Sequence, residues 1–366
     1  MKPTCYPFAF LMLLLLASSC SKSDDAAEDL PGDDPGAALY FPPLTGTTWE
    51  TASMDELGWN ESAIPPLLAL LQEKDTKAFI VLKNGKIAME EYFGTFTRDS
   101  IWYWASAGKT LTAFTVGMAQ EQGFLDINEP SSRYLGEGWT SASPEEENNI
   151  TIWHQLTMTT GLNELFFDCV TPDCLRYRAD AGSRWAYHNG PYTLLESVVS
   201  NATGSSYSAY FNAQLRDRIG MNGFWISTNG LNNVYFSNAR SMARFGLLNL
   251  NNGYWEETPI LTDDNYKDAM RSTSQDLNES YGYLWWLNGK ESFMVPGSQV
   301  VSPGALIPNA PASTYAGLGK NDQKLYLVPD QGLVVVRMGN DAGEAQAGPS
   351  SFDNELWGRL QALIGF

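Results

Sequence analysis

Hydrophobic and polar positions follow two different periods along this chain, and the period changes twice. Near the N-terminal side, Lys77–Leu82 and Lys86–Tyr92 are rich in strand-forming residues and flank Lys83-Asn84-Gly85. Asn-Gly between such runs is a strong short-range hairpin signal, because both residues accept the positive φ of a tight turn. A helix precedes them near 64–74, with Pro65 and Pro66 tolerated in its first turn. From Ser106 to about Met270 apolar residues recur at helical spacing. The segments predicted helical are 107–122, 151–158, 192–201, 208–218, 237–248 and 263–271, separated by Gly- or Asn-rich breaks. Strand patterns then return at 281–287, 313–319, 323–328 and 333–337, with Pro329-Asp330-Gln331-Gly332 closing a hairpin and a final amphipathic helix at 352–363. Strands and helices at both ends with a helical middle predict one α/β (α+β) domain made from both termini, carrying a large all-helical insertion. In residue numbers, 47–105 and 272–366 form the α/β part and 106–271 the mainly helical part.

Composition narrows the function. The 366 residues give ample core, and 43% hydrophobic content excludes wholesale disorder. A formal net charge of −19 argues against a nucleic-acid partner and against a basic membrane-binding patch. Only His154 and His188 are present, too few for a histidine-rich metal site, so no metal or other cofactor is expected. No G-x-S-x-G elbow occurs, which lowers the case for an α/β-hydrolase.

Residues 1–19 have the layout of an export signal: Lys2, an apolar run from Pro7 to Leu16, then small residues before Cys20. Cys20 is the expected lipidation site, although Ala17 stands where a lipobox carries leucine. Residues 20–46, acidic and rich in Ala, Gly and Pro, read as a disordered tether. The expected location is a bacterial cell envelope, with contact to membrane through the lipid anchor only. In that oxidising setting Cys169 and Cys174, separated by a Pro-Asp turn, are expected to pair as a loop-closing disulfide.

Candidate chemistry begins at Ser106-Ala107-Gly108-Lys109. Residues three apart share a helix face, so the hydroxyl and the amine can share a proton. A serine at a helix mouth also lies beside unpaired N–H groups that favour an oxyanion. The pattern S-x-x-K is cheap, since Ser19-Cys20-Ser21-Lys22 matches it too. A helix cap at Ser106 and a solvated Lys109 are the bland alternative. Further along, Tyr187-His188-Asn189 precedes a helix, where Tyr187 reads equally as a packed aromatic and Asn189 as a cap. A third segment, Thr314-Tyr315-Ala316-Gly317-Leu318-Gly319-Lys320, begins a strand that continues into a Val328-Pro329-Asp330 hairpin.

In this order and spacing, Ser106-x-x-Lys109, Tyr187-x-Asn189 and the Gly-containing strand resemble the class C β-lactamase-like serine hydrolases, a superfamily with penicillin-binding proteins, class C esterases and nylon-oligomer hydrolases. The likeness covers about Trp49 to Phe366. It implies a β-lactamase/transpeptidase-like fold: an antiparallel sheet built from both chain ends, flanked by helices, in a hydrolase domain spanning 47–366. It also implies Ser106 as nucleophile, Lys109 as its partner and Tyr187 as acid and base. Asn189 would orient Lys109 and the substrate carbonyl, Tyr315 and Gly317 would form the third box, and the N–H groups of Ser106 and Leu318 the oxyanion hole. For Tyr187 to act as base it must ionise far below its ordinary value of about 10, with the Lys109 ammonium as the cause.

The third box departs from the family, which places Lys or His, then Thr or Ser, before Gly. Tyr315-Ala316-Gly317 lacks both the cation and the hydroxyl, and Lys320 falls beyond the expected turn. Poor β-lactam turnover is expected, with preference for a small-molecule or peptide ester or amide without a free carboxylate. A β-lactamase or D,D-peptidase is the runner-up, and the competing class is a non-catalytic, aromatic-rich ligand-binding surface lipoprotein. Trp102, Trp104, Trp185, Tyr281, Tyr283, Trp285 and Trp286 flank the site segments, and Trp286 is the expected member of an aromatic acyl pocket. His188 is expected to be structural, and the protein to be a monomer.

Overall fold

The computed structural model describes Met1 and residues 38–228, 232–343 and 348–366. The expected export signal beyond Met1, Cys20 and the tether as far as residue 37 lie outside the described residues. Residues 39–43, read as tether from composition, lie on the body instead. Leu39, Tyr40 and Phe41 pack against the core, and the Pro43 carbonyl accepts a bond from Arg244 at 2.6 Å. The Ala-Leu-Tyr-Phe run is apolar enough to be buried despite its acidic surroundings.

Six strands form an antiparallel sheet in the order Lys86–Tyr92, Thr76–Lys83, Leu333–Gly339, Gln323–Val328, Tyr315–Gly319, Trp286–Leu287. The first hairpin is thus completed by the last strand, with Ile80 opposite Val336. Asn84 and Gly85 both take positive φ, 48° and 83°, as the two-residue turn requires. The two central strands, Gln323–Val328 and Leu333–Gly339, are buried at every position, because helices cover both faces of the sheet. Helix Ala239–Leu250 lies on one face, close enough that a Cβ on Gly246 would sit 2.4 Å from Val334 Cγ1. Helix Ser351–Ile364 covers the other, where Trp357 meets Tyr326 edge-on and Asp353 pairs with the buried Lys324 at 2.8 Å.

The middle of the chain is mostly helical, with the longest members at Lys109–Glu121, Asn189–Thr203 and Ala239–Leu250. It is not all-helical. Phe224–Thr228 and Asn232–Ser237 form a hairpin that pairs onward with Trp102–Tyr103. The expected strand at 281–287 also shrinks to Trp286–Leu287, with Tyr281 making only an isolated bridge. Gly282 presses on the Met270 carbonyl and Leu284 has φ 61°, so the chain turns there instead of extending.

Candidate active site

Ser106 sits in a short 3-10 turn, Ala105–Gly108, that runs into the helix Lys109–Glu121. Ala105, just before it, is held at φ 46°, a conformation that L-residues with a side chain rarely adopt. Such strain persists only where surrounding structure fixes it, and it marks the turn as deliberately shaped. What fixes it is the strand Tyr315–Gly319. A Cβ on Gly319 would lie 2.6 Å from the Trp104 carbonyl oxygen, 2.9 Å from the Ala107 nitrogen and 3.1 Å from the Ser106 nitrogen. Glycine is required here by close approach, since its own backbone is ordinary extended chain.

The Lys109 amine donates to Ser106 Oγ at 3.3 Å. Lys109 is only 2% exposed, and its Nζ lies 4.0 Å from the centre of the Tyr192 ring and 5.2 Å from that of Tyr187. Burial pushes this amine down to about 7, while the Asp168 carboxylate pulls weakly the other way. Tyr187 is also buried, with Ser106 beside its hydroxyl. Burial raises its phenol well above the ordinary value, and the neighbouring Ser106 offsets this only in part. Burial thus works against the ionised phenol that a base role for Tyr187 would require. Both groups lose solvent, which disfavours an ammonium and a phenolate alike.

These groups meet at a cleft of about 470 Å³ lined by Ser106, Lys109 and Asn189. Asp168, Tyr192 and Lys320 add polar groups to it, and Tyr103, Phe167, Val234 and Phe236 its apolar walls. Asn189 Nδ2 donates to Asp168 Oδ1 at 2.7 Å. Asn189 Oδ1 is buried without a partner. Cys169 and Cys174 are disulfide-bonded, with Cα atoms 6.2 Å apart, and close the loop that directly follows Phe167 and Asp168.

Several sequence-expected residues lie elsewhere. Tyr315 is buried, its hydroxyl directed to the Asn249 carbonyl and its ring against Trp285. Leu318 is 1% exposed and absent from the cleft wall, whereas Lys320 lines it. The glycine that approaches the serine turn most closely is Gly319, two residues beyond Gly317. Strand faces repeat every two residues, so the pattern alone fits either register, and only the contact of Gly319 with the serine turn decides. The flanking tryptophans apart from the half-buried Trp102 are core as well. Trp104, Trp185, Tyr281, Trp285 and Trp286 are each at most 2% exposed. Trp286 stacks on the Tyr187 ring at 6.0 Å and Trp185 and Tyr281 pack around it, fixing the phenol from behind. His188 is buried off the cleft, and burial holds its imidazole neutral by pushing it down to about 4. Tyr192, missed from the sequence, stands three residues beyond Asn189, and that helical spacing is the signal that could have found it; Asp168 and Phe236 carried no sequence signal.

An antiparallel sheet closed by both chain ends, with a serine turn packed on its edge region, defines the β-lactamase fold. The family model described as Beta-lactamase matches residues 72–356, and the chain belongs to that family. It is similar to the 6-aminohexanoate-dimer hydrolase of Paenarthrobacter ureafaciens, 23% identical over 322 residues that cover 75% of each chain. An uncharacterized protein of Alkalihalophilus pseudofirmus is 24% identical over 302 residues, 73% of this chain and 84% of that one. Among solved structures, a Bacillus anthracis protein assigned as a 6-aminohexanoate-dimer hydrolase superposes with TM-score 0.66 at 20% identity, covering 88% of each chain. A D-stereospecific amidohydrolase from Streptomyces gives TM-score 0.56 at 14% identity, covering 83% of this chain and 98% of that one.

Proposed function

We propose that this protein is a serine hydrolase that cleaves an ester or amide through an acyl-enzyme on Ser106. The observation that carries the reading is the buried Lys109 amine, pushed down to about 7 and 3.3 Å from Ser106 Oγ. Neutral Lys109 takes the Ser106 proton as Oγ bonds to the acyl carbon. The N–H groups of Ser106 and Lys320 hold the resulting oxyanion, Lys320 replacing Leu318 in that role. Collapse breaks the bond to the leaving group, which takes a proton from the Tyr187 hydroxyl. Tyr187 recovers its proton from the Lys109 ammonium, and a water then repeats the sequence to release the acid. Amides are favoured alongside esters because two of the similar proteins are named for amide hydrolysis. Labelling by a fluorophosphonate probe, lost in Ser106→Ala, tests the nucleophile. An unlabelled wild type leaves the non-catalytic binding protein as the reading.

One observation favours a second reading, hydrolysis of β-lactams or peptidoglycan peptides. Lys320 lines the cleft and supplies a cation for a substrate carboxylate that the sequence pattern did not offer. No hydroxyl side chain accompanies it on the strand Tyr315–Gly319 apart from the buried Tyr315. Nitrocefin turnover as fast as that of p-nitrophenyl esters would move the proposal to this reading.

A further inference from the structure

The cleft has an apolar wall that continues beyond it. In the hairpin of Phe224–Thr228 and Asn232–Ser237, Phe224 lies opposite Phe236 and Ile226 opposite Val234. Directly opposed residues share a face of a sheet, so these four side chains form one apolar patch. The other face of the hairpin carries Trp225 and Tyr235, whose rings lie 5.1 Å apart and pack against Phe211 in the core. The hairpin is thus apolar on both faces, and one of them is open. On the open face Val234 and Phe236 line the cleft that holds Ser106. Phe224 stacks on Phe236 with ring centroids 6.1 Å apart and planes 5° from parallel, yet it is 47% exposed. Ile226 is 41% exposed. Adjacent exposed apolar groups continuous with a cleft mark a binding surface.

We propose that this face is the acyl-chain subsite, and that the substrate class is an ester or amide of an extended, uncharged, apolar acyl group. The inference rests on the Ser106 chemistry proposed above. The patch carries no charged side chain, which excludes an acyl group charged along its length. Residues two apart on a strand stand about 7 Å from each other, so the patch reaches far enough for a chain of roughly six to eight carbons. The aromatic acyl pocket expected at the buried tryptophans is relocated to this hairpin.

The test is a series of p-nitrophenyl esters from acetate to octanoate, assayed with the whole protein. If each methylene is half covered, kcat/KM rises by about twofold per methylene in the wild type. The octanoate-to-acetate ratio falls at least about tenfold in the double variant Phe224→Ser/Ile226→Ser. Ile226→Glu, a single change at an exposed position, gives a fall in the same direction. A flat series in the wild type, an unchanged ratio in both variants, or a chain-length effect confined to the alcohol side overturns the assignment. Calorimetric binding of N-methyloctanamide to Ser106→Ala separates the two readings. Binding that the hairpin variants weaken supports the subsite even where the wild type turns over no ester, in which case the catalytic proposal alone fails.

Discussion

The ring of Tyr192 lies 4.0 Å from the Lys109 amine, closer than the 5.2 Å that separates the same nitrogen from the ring of Tyr187. Tyr192 is thus the nearer of the two rings that cover the amine. A cation over an aromatic face is attracted to it, which favours the charged form. Burial works the other way and wins, leaving Lys109 at about 7.

The pH dependence follows from that value. Only the neutral amine can accept the serine proton, so kcat/KM rises with pH through about 7 and then levels. Because Tyr187 is pushed up, no loss from its ionisation occurs at moderately alkaline pH. Tyr192→Ala admits water, raises the Lys109 value towards that of free lysine and moves the limb to higher pH, whereas Tyr192→Phe leaves it in place. A limb that stays near 7 in Tyr192→Ala would show that something else titrates.

Tyr187→Phe separates acid from base work. A protonated phenol is needed when the leaving group is a poor one. The loss on an alkyl amide should reach about 10²–10⁴, the usual range for a proton-transfer residue. On a p-nitrophenyl ester, whose phenolate leaves unprotonated, the loss should be much smaller. Equal losses on both substrates would return Tyr187 to the role of base.

Gly319→Ala inserts a methyl 2.6 Å from the Trp104 carbonyl, so the strand or the serine turn must shift. Overpacking of this kind costs about 1–3 kcal/mol, measured as a fall in the denaturation midpoint. Activity should fall further than stability does, by about 10²-fold or more if one oxyanion donor is displaced. Gly317→Ala meets only Thr110 Cγ2 at 3.1 Å and the Ala107 carbonyl at 3.3 Å, and should do less on both counts.

Reduction of Cys169–Cys174, or Cys174→Ser, should raise KM more than it lowers kcat. Phe167 and Asp168, which line the cleft, lead directly into the loop it closes, and Gly190 packs so tightly on the Cys169 carbonyl that a Cβ there would sit 2.2 Å away. The lost loop constraint amounts to about 2 kcal/mol, readable by chemical denaturation with and without reductant.

Glu196 offers a stability test away from the reacting atoms. It is buried on the helix Asn189–Thr203, its Oε2 accepts from Asn233 Nδ2, and burial pushes its carboxyl up to about 8. The folded state then holds a proton that the unfolded chain gives up at ordinary carboxyl values. Stability from this group is full at pH below about 4.5 and is lost progressively as pH rises to about 8. Glu196→Gln should flatten that decline, most visibly in melting curves recorded at pH 8.5.

The two hairpins of the sheet, the helices and the Ser106–Lys109 pair were legible because each rests on local spacing: Asn84-Gly85 dictates its turn, and three residues bring hydroxyl to amine. The hairpin 224–237 was missed although Asn229-Gly230 stands between two strand-forming runs, the same signal as Asn84-Gly85, because the helical spacing on either side of it outweighed a local turn. Tyr187 was legible as a residue but not as a protonation state, which depends on Trp185, Tyr281 and Trp286 closing around it from distant segments. The register of the third box needed the contact between Gly319 and the serine turn, which no one-dimensional pattern contains.

The pairing of Thr76–Lys83 with Leu333–Gly339 sets an order of events during synthesis. A ribosome releases the first hairpin long before its neighbour exists, and the glycine strand that shapes the serine turn is also made late. A half-made chain therefore carries Ser106 before Gly319, which packs on its turn, and before the strand that completes the first hairpin have been added.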